Sequence, residues 1–113
     1  MAAVVTVKAI ARLENEVNSS IGNKPMRMVF GTIAFDNSYP TGGEAITLST
    51  YFPGGIECVD VFPQAGYVFV YDKANAKVIG YQSDDAVDPL DQIGNTTDLS
   101  ALTAVPFVAY GYN

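Results

Sequence analysis

YVFVYDKANAKVIGYQ, Tyr67 to Gln82, decides the fold class. Tyr67, Phe69 and Tyr71 alternate with Val68 and Val70, the period of two that a pleated strand imposes on its side chains. Asp72 to Ala76 is a short polar connection, and Lys77 to Gln82 answers as a return strand, so the stretch reads as a β-hairpin. Lys73 and Lys77 flank its turn as solvating charges. Upstream, Ile56 to Phe62 reads as a short strand ended by Pro63, with Gln64-Ala65-Gly66 as a turn. Downstream, Val105 to Tyr112 reads as the final strand, with Pro106 near its start.

Toward the N-terminus, Val4 to Leu13 is a strand rich in β-branched residues. Strict alternation puts Val5, Val7, Ala9, Ala11 and Leu13 on one face, expected to be buried, and Val4, Thr6, Lys8, Ile10 and Arg12 on the other. Glu14 to Lys24 has loop composition. Pro25 opens a second strand, Met26 to Phe35, apolar on both faces in its second half, with Gly31 marking a bend, a bulge or a close backbone approach. Asp36 to Gly43 is a turn-rich loop. Glu44 to Ser49 is an extended piece or one helical turn, whose Ile46 and Leu48 return the chain to the core. Phe52-Pro53-Gly54-Gly55 is a second sharp turn, and Asp98 to Ala101 a single turn begun by Asp98. No helix longer than two turns is expected. Short strands at this spacing predict an all-β single domain over residues 1–113: a small antiparallel β-sandwich or jelly-roll-like barrel with long turns and at most one short helix.

Composition narrows the function. The chain has 113 residues, a net charge of −6 and a pI near 4.2. From Met28 through Asp72 there are five acidic residues and no basic one, and from Val78 to the end five more. Such a body does not suit tracking a phosphate backbone, so no direct nucleic-acid partner is expected. Only 16% of residues are charged, against about 25% in typical domains. That fits a polar uncharged exterior or a surface that faces another protein. Lys8 and Arg12 either keep an edge strand soluble or meet an acidic partner. No run approaches the ~18 apolar residues of a membrane helix, and Met1 to Leu13 reads as a strand rather than a leader.

The usual chemistry is missing its residues. There is no histidine, which removes the common general base and zinc ligand. Cys58 is the single cysteine, read as a small buried hydrophobe. Gly42-Gly43 and Gly54-Gly55 set turn geometry and lack the lysine and following helix of a phosphate loop. Asp84, Asp85, Asp88 and Asp91 form the densest acidic cluster, a calcium-binding loop or, more simply, a solvated one without an EF-hand pattern. Asp36 and Glu44 flank Tyr-Pro-Thr-Gly-Gly. As a catalytic pair their spacing fixes no separation; the plainer expectation is that Asp36 caps its own turn and Glu44 accepts from the glycine amides. Tyr67, Phe69 and Tyr71 either pack a core edge or face a partner protein. No catalytic residue, cofactor or metal is therefore expected.

FGTIAFDNSYPTGGEAI, from Phe30, VDVFPQAGYVFVYDKANAKVIGY, from Val59, and TTDLSALTAVPFVAYGY, from Thr96, resemble small virion proteins of tailed bacteriophages, most of all the head decoration, or cement, proteins. The resemblance runs from Val4 to the end. It departs at Ala45 to Ser49, where such proteins often carry a short leucine-rich helix. It implies a noncatalytic subunit on the outer surface of the capsid, made in the host cytoplasm, bound to the major capsid protein and often a homotrimer. Within it, Tyr39, Pro40 and Thr41 would present a rigid tip directed by Gly42 and Gly43, with Lys8, Arg12, Tyr67 and Phe69 as further interface candidates. Tyr39 folded back on its own core is the competing reading of that tip. A tail or neck protein, or a carbohydrate-binding domain on the virion surface, are the alternative functions.

Overall fold

The computed structural model describes residues 3–13, 25–83 and 90–112. Among them the chain is all-β: β1 (Val4–Leu13), β2 (Met26–Ala34), β3 (Glu44–Ala45), β4 (Gly55–Val61), β5 (Tyr67–Asp72), β6 (Lys77–Gln82), β7 (Asp91–Gln92) and β8 (Val105–Tyr112), with one 3-10 turn at Ser49–Tyr51. They form two four-stranded antiparallel sheets. The first has the order β1-β2-β8-β4; in the second, β6 lies between β5 on one side and the short β3 and β7 on the other. This is the sandwich that the alternating patterns predict.

The core lies where the inward faces meet. Val29, Ile33, Val59, Val61, Val105, Phe107 and Ala109 come from the first sheet and Phe69 and Val78 from the second. Phe35, just past the end of β2, stacks on Phe69 with ring centroids 4.9 Å apart and planes 15° from parallel. That pair couples the two layers directly. Ile46 and Leu48 do return the chain to the core, and Ile93, Leu99 and Leu102 close it from the far end.

Two glycines in paired strands make room for aromatic rings. Gly31 stands opposite Phe107 and Gly80 opposite Phe69. A Cβ on Gly31 would come within 2.8 Å of the Phe107 ring and nearer still to the Thr6 carbonyl. Gly31 is therefore the close approach anticipated from its position, with the ring of the neighbouring strand lying over it.

Two β-bulges redirect side chains. β1 pairs with β2 as Val7↔Gly31 and then Ala9↔Phe30, so Lys8 is the extra residue. Beyond the bulge the alternation reverses. Val5 and Val7 pack against the core, but Ala9 and Ala11 turn outward with Phe30 and Met28, contrary to the single buried face expected for β1. In β4 the extra residue is Glu57, and Val59 and Val61 take the inward positions. Cys58 is consequently exposed, not the buried hydrophobe expected.

Candidate functional site

The loop from Asp36 to Glu44 leaves the first sheet at Phe35 and enters the second at β3. Its backbone is tied down along its length. The Leu99 N–H donates to Asp36 O (3.0 Å), the Tyr39 N–H to Thr97 O (2.9 Å) and the Thr96 N–H to Tyr39 O (2.7 Å). Asp36 Oδ1 accepts from the Ser38 N–H at 3.0 Å, the turn cap expected of it. The Gly43 N–H donates to Pro40 O at 3.0 Å. With Gly42 at φ 98° in the third position, Pro40–Gly43 is a type II turn. Gly43 has φ 110°, and a Cβ there would lie 2.7 Å from the Val78 carbonyl oxygen. Both glycines are thus required, Gly42 by the turn and Gly43 by the turn and by the backbone of β6.

Tyr39 anchors this loop. It is 0% exposed, because its ring enters the core and its hydroxyl reaches the edge of β6. On that edge β3 pairs with Lys77 and Val78, and β7 pairs with Tyr81 and Gln82. Between them the Gly80 N–H donates to the Tyr39 hydroxyl at 3.1 Å, and Gly80 O accepts from the Ile93 N–H at 2.9 Å. The phenol stands in the gap where a continuous strand would have placed a carbonyl. The same hydroxyl donates to Gln92 Oε1 at 3.2 Å, which also accepts the Gly42 N–H at 2.7 Å. The loop, β6 and β7 are therefore joined through one phenol and one side-chain amide. Tyr39 does not present the tip: the exposed residues are Pro40 and Thr41, with the Thr41 N–H held by Asn95 Oδ1 at 3.2 Å.

The loop's two carboxyl groups meet beneath it. Glu44 is 1% exposed, and both its oxygens and Asp36 Oδ2 are buried. The glycine amides go to Gln92 and Pro40, so Glu44 does not receive them as expected. Burial first, and the neighbouring Asp36 carboxyl second, raise the Glu44 pKa to about 7. The Ser38 N–H holds Asp36 below the usual carboxylate value. Glu44 thus holds its proton more tightly than a solvated glutamate does, beside an Asp36 that gives its own up more readily.

The remaining candidates are dispersed. Lys8 is exposed at the β1 bulge. Arg12 is exposed as well and stands opposite Arg27 in the register. Arg27 itself is buried and donates to Tyr51 O at 2.7 Å. Phe69 is a core residue and Tyr67 packs at its margin, 6.4 Å between ring centroids. The Gly54 N–H donates to Tyr112 O and the Gly55 N–H to Phe52 O, both at 3.0 Å, closing the turn before β4. Asp91 lies exposed on β7, whereas Asp84, Asp85 and Asp88 fall outside the described residues. Among the described residues no group of three or more acidic or cysteine side chains is arranged to hold a metal ion.

Sequence reading missed Gln92, Asn95 and Gly80 as partners of the loop. A two-residue strand carries no periodicity, and the glutamine's task depends on contacts 50 residues away in sequence. Comparison of the chain with family models, with curated proteins and with solved structures gives no match.

Proposed function

We propose that the protein is a head decoration, or cement, subunit of a tailed bacteriophage: a noncatalytic domain that binds the outside of the assembled shell and stabilises contacts between major capsid subunits. The observation that carries this reading is the Asp36–Glu44 loop. A chain that spends a buried phenol, two constrained glycines and an enclosed carboxyl pair on one loop holds Pro40 and Thr41 in a fixed, exposed position. A pre-formed tip loses little conformational entropy on docking. Its exposed residues are uncharged and suit a protein surface. The resemblance of three segments to virion proteins supports the same reading, and two of those segments build the loop and the β6 edge that anchors it.

The mechanism is linkage. A subunit that binds the assembled shell and not dissociated capsid subunits shifts the equilibrium toward the shell. Contacts repeated at many copies turn modest individual affinity into durable attachment. Co-sedimentation with purified shells tests this. The wild-type protein is expected to pellet with shells, to leave free capsid subunits unbound and to raise the temperature at which shells open. Thr41→Lys, an exposed change, is expected to lower occupancy. Unchanged occupancy by a folded Thr41→Lys would remove the loop from the contact. Particle imaging that finds a few copies at one vertex, not a regular array, would defeat head decoration in favour of a neck protein.

A further inference from the structure

Between Tyr39 and Ile46 a single side chain fastens the chain to the body of the fold. Tyr39 and Ile46 are buried on either side, whereas Pro40, Thr41 and Ala45 are exposed and Gly42 and Gly43 have no side chain to bury. That leaves Glu44, 1% exposed. Residues 40–45 are thus held over β6 by a carboxyl group with no apolar side chain to assist it. Their backbone attachments are few. The Gly42 N–H donates to Gln92 Oε1 at 2.7 Å, and the Ile46 N–H closes the far end on Ala76 O at 3.1 Å. β3 adds the register pairs Glu44↔Val78 and Ala45↔Lys77. By the alternation of an antiparallel ladder, the bond from Ile46 to Ala76 makes Glu44↔Val78 the next hydrogen-bonded pair, so the Glu44 amide is bonded to β6. The first part of the loop is fastened elsewhere, with Asp36 and Tyr39 bonded to the backbone of Leu99, Thr97 and Thr96.

We propose that residues 40–45 form a proton-operated flap, hinged between Tyr39 and Ile46, that is closed on β6 while Glu44 is protonated and opens when Glu44 is charged. The groups around the Glu44 carboxyl set the direction. Asp36, at the start of the loop, lies against it and is ionised above the ordinary carboxylate value, because the Ser38 N–H lowers its pKa. Tyr39 brings a hydroxyl whose pKa is raised, chiefly by burial. β6 contributes Val78 and Ile79 against Gly43 and Tyr81 towards the Tyr39 hydroxyl, none of them a cation or a carboxylate. The amino-terminal charge and the Ala3 N–H favour ionised Glu44, but burial and Asp36 outweigh them. Among the described residues no lysine or arginine side chain offsets the second negative charge.

Ionising Glu44 with the flap closed therefore sets two negative charges together away from water, and opening returns Glu44 to solvent. The sign follows from the raised pKa of about 7 against 4.5 in water: closure is favoured below 7 and is lost as pH rises through it. Asp36 is charged throughout this range and supplies a constant repulsion. The inference concerns the isolated chain and holds or fails without any shell.

Native-state hydrogen exchange in low urea tests it. The Gly42 and Glu44 amides are expected to exchange through an opening nearly independent of urea, the mark of a local event, whereas the Leu99 amide follows the urea slope of global unfolding. The protection factors of Gly42 and Glu44 are expected to fall about tenfold between pH 6 and pH 8.5. Glu44→Gln keeps the shape of the side chain without its charge and is expected to hold both protection factors constant over that range. Gly42 and Glu44 amides that open only with the global urea slope, wild-type protection factors that do not change with pH, a Leu99 amide that opens together with the flap, or a pH response retained in Glu44→Gln would each overturn the proposal.

Discussion

Replacing Tyr39 by phenylalanine removes one oxygen atom and leaves the ring. The ring is fully buried, so the substitution opens little space and the packing contribution is retained. What is lost is the acceptor for the Gly80 N–H at 3.1 Å and the donor to Gln92 Oε1 at 3.2 Å. Gly80 is buried between β3 and β7, and an unmet buried amide costs about 1–3 kcal/mol. Gln92 is exposed, so water replaces the phenol there and its loss adds little. The expected destabilisation is therefore about 2 kcal/mol. For a domain of this size, with a urea m-value of about 1.3 kcal/mol/M, the unfolding midpoint should fall by roughly 1.5 M with an unchanged slope. Hydrogen exchange supplies the local reading: the Gly80 amide should lose protection more than its neighbours in β6. A midpoint shift below about 0.4 M, or a Gly80 amide protected as in the wild type, would refute the claim that the hydroxyl completes the edge of the sheet.

Gly43→Ala should cost at least 2–3 kcal/mol by thermal or chemical denaturation, since it combines a φ of 110° with a Cβ 2.7 Å from the Val78 oxygen; Gly42→Ala, with open space around it, should cost less. Glu44 gives a pH dependence. Its folded pKa of about 7 stands above its ordinary value of 4.5, so the folded state holds the proton more tightly. That contribution is fully present below pH 4.5 and is lost as pH rises through 7, by an amount on the order of 2 kcal/mol. Asp36 acts oppositely: its lowered pKa gives stability above 3.8 that is lost as pH falls below it. Glu44→Gln should flatten the decline between pH 4.5 and 7 in a urea titration series and raise stability at pH 8.

Strand existence was legible because alternation is a local signal. Tyr67 to Gln82 reads correctly from its own side chains, and the β1, β6 and β8 boundaries coincide with those expected. The error over the buried face of β1 traces to a single-residue insertion. Nothing in VVTVKAIARL marks Lys8 as an extra residue, yet that one residue turns Ala9 and Ala11 outward. Cys58 was recoverable in principle. The pattern Val59-Asp60-Val61 already fixes the inward parity of β4 and leaves position 58 facing out. The Asp36–Glu44 loop was recognised as a structured turn, and its need for Gly42 and Gly43 was readable from composition. That Tyr39 points inward was one of two readings, and sequence could not choose between them, because its partners Gly80 and Gln92 are brought to it only by the tertiary fold. The burial of Glu44 was hidden for the same reason: a carboxylate beside two glycines reads as an acceptor for their amides until β3 is paired with β6.

The Tyr39 bridge also has a place in the order of folding. Its hydrogen bonds span 41 and 53 residues of sequence, whereas the β5–β6 hairpin closes over a short turn. Local pairings form before distant ones have overcome their loop-closure entropy. The bridge should therefore be absent from the folding transition state, with a φ-value near zero, and its energy should appear almost wholly in the unfolding rate. Removing about 2 kcal/mol there would make the native chain open roughly thirtyfold faster while folding at nearly its original speed. The phenol then acts as a kinetic latch, closed last and opened first, which governs how long the folded chain persists rather than how quickly it forms.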